Sequence, residues 1–201
     1  MSAEVSGQGS PAHSRGADRF LLLLLLASLS LNVYLGWKVK QTPTASSVPP
    51  ITARISPGLK VDPVTAVGLD GKQLTIAFDT TDKPTVFYVV SPSCIWCERN
   101  KANIGTLTAT KGNDFRFIGL SLAESGLKEY VDRHHLNFPM YTRLTSGTIS
   151  SLGLGGTPQT IVISPDGRVL KNWIGAYTEQ LQPEVESYFG IQLPGLTRAT
   201  N

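Results

Sequence analysis

The residues best suited to chemistry in this chain are its two cysteines, separated by two residues in Ser93-Cys94-Ile95-Trp96-Cys97-Glu98. Thiols at this spacing can close and reopen a disulfide, hold half of a metal site, or merely staple the chain. The run Thr85–Val90 before them is β-branched and aromatic, which predicts a strand buried on both faces, and a helix is expected to begin at the cysteines. A thiol at a helix N-terminus faces unpaired backbone N–H groups and the positive end of the helix dipole. Both favour the thiolate and lower its pKa from about 8.5. Cys94 is therefore the expected nucleophile. It would attack a partner's disulfide to give a mixed disulfide, and Cys97, one turn on and more buried, would attack Cys94 and release the reduced partner.

The competing readings are weaker on physical grounds. A bridge closing so short a loop removes only about 2 kcal/mol of unfolded-chain entropy, against nearly 5 for a 100-residue loop, so it is a poor staple. A metal site needs further ligands, and the histidines nearest in kind, His134 and His135, are adjacent on an expected helix end. A second element favours redox chemistry. Gly153-Leu154-Gly155-Gly156-Thr157-Pro158-Gln159-Thr160 sets a proline at the start of a strand behind a glycine-rich loop. A cis bond there would turn the Thr157 backbone toward the cysteines as an edge for a bound peptide.

The remaining segments must position this pair. Asp70-Gly71 separates Val64–Leu69 from Leu74–Phe78, a hairpin signal. Beyond the cysteines, Ile104 and Leu107 lie on an expected helix that Gly112 ends, and Phe115–Leu120 reads as a second buried strand. Ser121 with Glu124 has the form of a capping box opening a helix to about His134. Gln159–Ile163, the turn Pro165-Asp166-Gly167 and Val169–Trp173 form a second hairpin, followed by a helix from about Thr178 to Phe189. Strands alternating with helices in this order predict an α/β fold, a mixed β-sheet sandwiched by helices.

N-terminal to this domain the composition changes twice. Residues 1–19 are rich in Ser, Gly and Ala without apolar periodicity, the composition of a disordered tail. Phe20–Trp37 is Leu-dominated and uncharged; as a helix it would reach roughly 27 Å, about the thickness of a hydrocarbon core, so a transmembrane anchor is expected at 20–37. Tyr34 and Trp37 at one end and Arg19 at the other suit the two interfaces. No small-x-small cleavage site follows the run at the right distance, which favours an uncleaved signal-anchor. Residues 38–58, with Pro43, Pro49, Pro50 and Pro57 among Ser and Thr, read as a linker, 59–192 as the domain and 193–201 as a flexible tail. From residue 41 onward 14 basic residues face 13 acidic ones, so there is no electrostatic footprint for nucleic acid.

The strand Thr85–Val90, the C-x-x-C of Cys94 and Cys97, Thr157-Pro158 and the Ser164-Pro165-Asp166-Gly167-Arg168 turn together resemble the thioredoxin superfamily, most closely its TlpA-like, membrane-anchored thiol-disulfide oxidoreductases. The resemblance covers about residues 59–190. It implies a thioredoxin fold with a redox-active Cys94–Cys97 disulfide, a cis Pro158, and partner binding by Thr157, Pro158 and Trp96, with no cofactor. The stretch between Cys94 and Pro158 leaves room for the extra strand and helix of this subgroup. It further implies a single-pass protein of a bacterial cytoplasmic membrane, its redox domain on the periplasmic side. There it would reduce protein disulfides, including those of cytochrome c maturation, and be recharged by an upstream membrane electron donor. The chain departs from the pattern at Ser93, where tryptophan is usual, and at Ile95-Trp96 in place of Gly-Pro. Tyr88 stands where the family has Asp or Asn for proton transfer, which leaves Glu98 as the candidate for that role. Two other functions share the fold: a thiol peroxidase using Ser91 to orient peroxide, and a non-enzymatic metal-delivery or binding module.

Overall fold

The computed structural model describes residues 15–41 and 55–198, with side chains for 19–35 and 55–198. The chain divides into two units, residues 1–47 and 48–201. The first contains helix α1, Arg15–Gln41, which takes in the last residues of the expected tail and runs past both ends of the expected span. Its apolar side chains from Phe20 to Leu35 are exposed. Among the described residues no helix is long and apolar enough to cross a membrane. Gly36 and Trp37, which complete the expected span, lie outside the residues whose side chains are described, as do residues 1–14, 42–54 and 199–201 in their entirety.

The second unit is built on seven strands: β1 Val64–Gly68, β2 Gln73–Ile76, β3 Thr85–Val90, β4 Arg116–Ser121, β5 Met140–Thr142, β6 Gln159–Ile163 and β7 Val169–Ile174. They form one sheet in the order β2-β1-β5-β4-β3-β6-β7. The central strands β3, β4 and β5 run parallel, and the two hairpins join them antiparallel, β1–β2 on one side and β6–β7 on the other. Both hairpins turn at a glycine with positive φ, Gly71 at 78° and Gly167 at 81°, a conformation that a side chain would strain. β3 is buried at every position because helices or loops cover both faces of the sheet.

Successive residues of β3 therefore serve two cores. Val86, Tyr88 and Val90 face one, with Ile104 and Leu107 of α3 (Lys101–Lys111), Leu127 and Tyr130 of α4 (Leu127–His134), and Val185 and Phe189 of α6 (Gln182–Phe189). Phe87 and Val89 face the other, with Ile118, Leu120, Ile161 and Ile163 from neighbouring strands and with Leu152 and Leu154 at and beyond the end of α5 (Ser146–Ser151). This is the thioredoxin-like mixed sheet between helical layers.

Three local expectations change. Ser121 and Glu124 do not form a capping box: Ser121 closes β4 and its hydroxyl donates to the Ala123 carbonyl, while Glu124 is held by Arg143 at 2.6 and 2.8 Å. Helix α4 starts at Leu127 behind Gly126 (φ 76°), without a side-chain cap. The last helix starts at Gln182 rather than Thr178, because Pro183 fits only a first turn, where its missing N–H is not needed. The domain also extends past 59 and 192: Ile55 and Leu193 are buried, and residues 193–197 are bonded to the domain rather than free as a tail.

Candidate active site

Cys94 is the N-cap of a short helix, α2 (Ile95–Arg99), and follows β3 after the three residues Ser91, Pro92 and Ser93. The parallel sheet buries β3 to its last residue, so the first place the chain can offer a side chain to solvent is this junction. Cys94 and Cys97 are joined as a disulfide, with their Cα atoms 5.2 Å apart. Cys97 is fully buried in the Tyr88 core, whereas Cys94 is partly exposed. The Cys97 N–H donates to the Cys94 sulfur at 3.1 Å, a bond that a thiolate would strengthen. The same sulfur lies 3.4 Å from the Thr157 carbonyl oxygen. The Thr157-Pro158 bond is cis, and the Thr157 carbonyl lies against the start of α2.

Trp96, between the cysteines, is 44% exposed, and Ile95 beside it 58%. A cavity of about 400 Å³ runs from Trp96 past Thr157 and Pro158 to Gly175 and Ala176. A second, of about 590 Å³, also borders Trp96 and is walled by Arg99, Thr178, Glu179, Gly195 and Leu196. The structure thus brings together Cys94, Cys97, Trp96, Thr157 and Pro158.

Glu98 belongs elsewhere. One carboxylate oxygen is 2.7 Å from Lys101 Nζ, and the other is 2.7 Å from His134 Nε2, close but without the alignment of a hydrogen bond. Burial pushes the Glu98 carboxyl up, but the Lys101 hydrogen bond and the charges of His134, Lys101 and Arg133 outweigh it and hold it below the usual glutamate range. Burial pushes His134 down, more than Glu98 pulls it up. An anion so engaged is ionised at neutral pH and is a poor proton carrier for Cys97. Tyr88 has its hydroxyl pushed well above the ordinary tyrosine value by burial first and by Tyr130 second, so it stays neutral. Ser91 Oγ lies 3.3 Å from Ser93 Oγ, and the Ser91 carbonyl accepts the Cys94 N–H at 2.9 Å. Among the described residues no group of three or more His, Cys, Asp or Glu side chains could hold a metal ion.

Two buried amides beneath the pair escaped the sequence reading. Asn100 Oδ1 accepts the Tyr177 N–H at 3.1 Å and Asn103 Nδ2 at 2.9 Å, and Asn100 Nδ2 donates to the Tyr88 hydroxyl at 3.4 Å. Their signal was legible: Asn100, Asn103, Ile104 and Leu107 recur at helical spacing on one apolar face.

The fold and site together define a thioredoxin-like protein with a cysteine pair at a strand-to-helix junction, facing a cis proline. No protein-family model matches the sequence, and no curated protein is similar to it at a significant level. Solved structures do resemble it. The thioredoxin domain of a thiol-disulfide oxidoreductase from Bacteroides vulgatus is 19% identical with a TM-score of 0.54, over 67% of this chain and 99% of that one. StoA from Bacillus subtilis is 14% identical with a TM-score of 0.50, over 65% and 100%. A secreted Mycobacterium tuberculosis disulfide oxidoreductase homologous to E. coli DsbE is 17% identical with a TM-score of 0.52, over 63% and 93%. At these identities the likeness establishes the thioredoxin fold.

Proposed function

We propose that this chain is a thiol-disulfide oxidoreductase that reduces protein disulfides, with Cys94 as the attacking thiol and Cys97 as the resolving one. The observation that carries this reading is the asymmetry of the pair. One sulfur is partly exposed, receives a backbone N–H and faces the Thr157 carbonyl; its neighbour is buried one turn away. In the reduced protein the Cys94 thiolate attacks one sulfur of the partner's disulfide, and the other leaves as a thiolate that takes a proton. Cys97 then loses its proton and attacks Cys94, expelling the partner's second sulfur. Two electrons pass to the partner, and the protein is left with the Cys94–Cys97 disulfide. A membrane dithiol donor returns them. Thr157, Pro158 and Trp96 bind the partner's backbone beside its cysteine.

The anchor is part of the same proposal. What supports it is the sequence: the uncharged, Leu-rich run Phe20–Trp37 has the length and composition of a single-pass span, which would set the redox domain on the outer side of a bacterial cytoplasmic membrane with cytochrome c cysteines among its substrates. Thiol labelling of intact against permeabilised cells tests the orientation; labelling only after permeabilisation of the inner membrane would reverse it.

The exchange itself is tested by the Cys97→Ser variant. Attack by Cys94 should stall as a mixed disulfide, recoverable by mass spectrometry. If Cys94 is readily alkylated yet no adduct forms, the exchange mechanism is wrong.

A further inference from the structure

The strap that follows α6 is hydrogen-bonded to both α2 and α3. Leu193 is the last buried residue of the core, and its N–H donates to Glu186 at 2.7 Å while its carbonyl accepts from Gln182 at 3.0 Å. Beyond it, the Gly195 N–H donates to the buried Asn103 Oδ1 at 2.9 Å. Both the N–H and the hydroxyl of Thr197 donate to the Arg99 carbonyl, at 2.8 and 3.2 Å, and Arg99 Nε donates back to the Thr197 carbonyl at 3.3 Å. The bend between these contacts falls at Gly195, whose φ of 87° disfavours any side chain.

These bonds lead to the cysteines by two routes. The Arg99 guanidinium carbon stands 4.6 Å from the centroid of the Trp96 ring. Asn103 is joined to Asn100, which accepts the Tyr177 N–H at the root of the opposite wall. Both walls of the 590 Å³ cavity, the segment from Tyr177 to Gln182 and the strap at Gly195 and Leu196, therefore hang from one pair of buried amides, with Trp96 between them. Trp96, Thr178 and Gln180 also line the smaller cavity at Thr157 and Pro158, so the two form a continuous trough.

From this continuity we infer that Gly195 and Leu196, tied to Arg99 through Thr197, are the outer wall of a second partner-binding subsite, which takes the extended polypeptide flanking the partner's cysteine. The inference rests on the exchange function proposed above and adds its specificity determinant. A peptide whose cysteine reaches Cys94 along Pro158 must continue across Trp96, and the strap confines it there. A small disulfide reaches Cys94 without touching the strap.

The full-length chain, a chain stopped after Pro194, and a Thr197→Pro variant, which removes both the N–H and the hydroxyl that hold Arg99, separate these contacts from the chemistry. Each reduced protein is mixed with oxidised glutathione and with a short peptide carrying a central cysteine as its mixed disulfide with glutathione. Both variants should react with the peptide about tenfold more slowly, the loss of a modest interface contact, and with oxidised glutathione within about twofold of the parent. The glutathione rate also reports that the redox site is folded. An equal loss on both substrates, or no loss on either, overturns the inference. A parent chain that reacts with neither probe sinks the exchange function, and the subsite with it.

Discussion

The two faces of the sheet are built from different materials. On the face away from α2 the strands contribute Phe87, Val89, Ile118, Leu120, Ile161 and Ile163, and the polar pairs are few: Thr85 with Arg116 at the starts of β3 and β4, and Gln159 at the start of β6 with Asn172 of β7. On the face beneath the cysteines, hydrogen bonds run through the middle of the core: Tyr88, Asn100, Asn103, the Tyr177 N–H and, separately, Thr160 with the Tyr177 hydroxyl at 2.7 Å. An apolar interface resists separation but fixes direction weakly, because dispersion and hydrophobic forces are not directional. A satisfied buried network contributes less net free energy per group, yet each bond has one good geometry. The first face holds the sheet together, and the second fixes where α2 and the walls around Trp96 sit.

Substitutions can break that contrast. Phe87→Ala should have the largest effect on stability, about 3–5 kcal/mol by chemical denaturation, because the side chain is fully buried. It should leave the alkylation rate of reduced Cys94 unchanged; a marked change in that rate would mean the apolar face also positions the site. Asn100→Ala should cost less, about 1–3 kcal/mol, by stranding buried hydrogen-bonding groups at Tyr177, Asn103 and Tyr88. It should nonetheless shift the redox potential and the alkylation rate, and unchanged values for both would reduce Asn100 to a packing residue. Tyr88→Phe removes only a long bond of 3.4 Å and should cost about 0.5–1.5 kcal/mol. If it abolished exchange, Tyr88 would be a proton carrier after all.

The smallest expected effect is on acid stability. His134 is depressed in the folded protein, so below the ordinary histidine value near pH 6.5 the unfolded chain binds a proton that the folded one does not, and stability falls with falling pH. Glu98 is depressed too. Its contribution is present above the ordinary value of 4.5 and is lost as pH drops through the folded value. Urea midpoints from pH 7.5 down to about 3 should therefore decline in two stages, one below the ordinary histidine value and one below the ordinary glutamate value, and His134→Gln should flatten the upper one. A midpoint that rises on acidification through pH 6 would contradict both assignments.

Strands β3 and β6 have the limits their residues predict, Thr85–Val90 and Gln159–Ile163, because a continuous β-branched run between turn residues has few alternatives. Both hairpin glycines were likewise legible, since the turn itself demands a positive φ. Two expectations meet partners from elsewhere in the fold. Ser121 and Glu124 have the spacing of a cap, but Arg143 comes to Glu124 from 19 residues away, and an ionic partner displaces a local backbone one. Glu98 has the position of a proton carrier, but Lys101 and the distant His134 take both its oxygens. The short strand β5 and helix α5 were expected only from the room left by the family resemblance, being too brief to carry a period of their own.

By itself, the sequence determined the cysteine pair and its strand-to-helix setting, the proline opposite, the alternating core and the Leu-rich N-terminal run, all properties of residue type and short-range spacing. Only the tertiary structure decided which polar groups meet: Asn100 with Tyr177, Gly195 with Asn103, Thr197 with Arg99. A hydrogen bond acts over a few ångströms, whereas these partners lie 77, 92 and 98 residues apart, and only the folded chain brings them within reach.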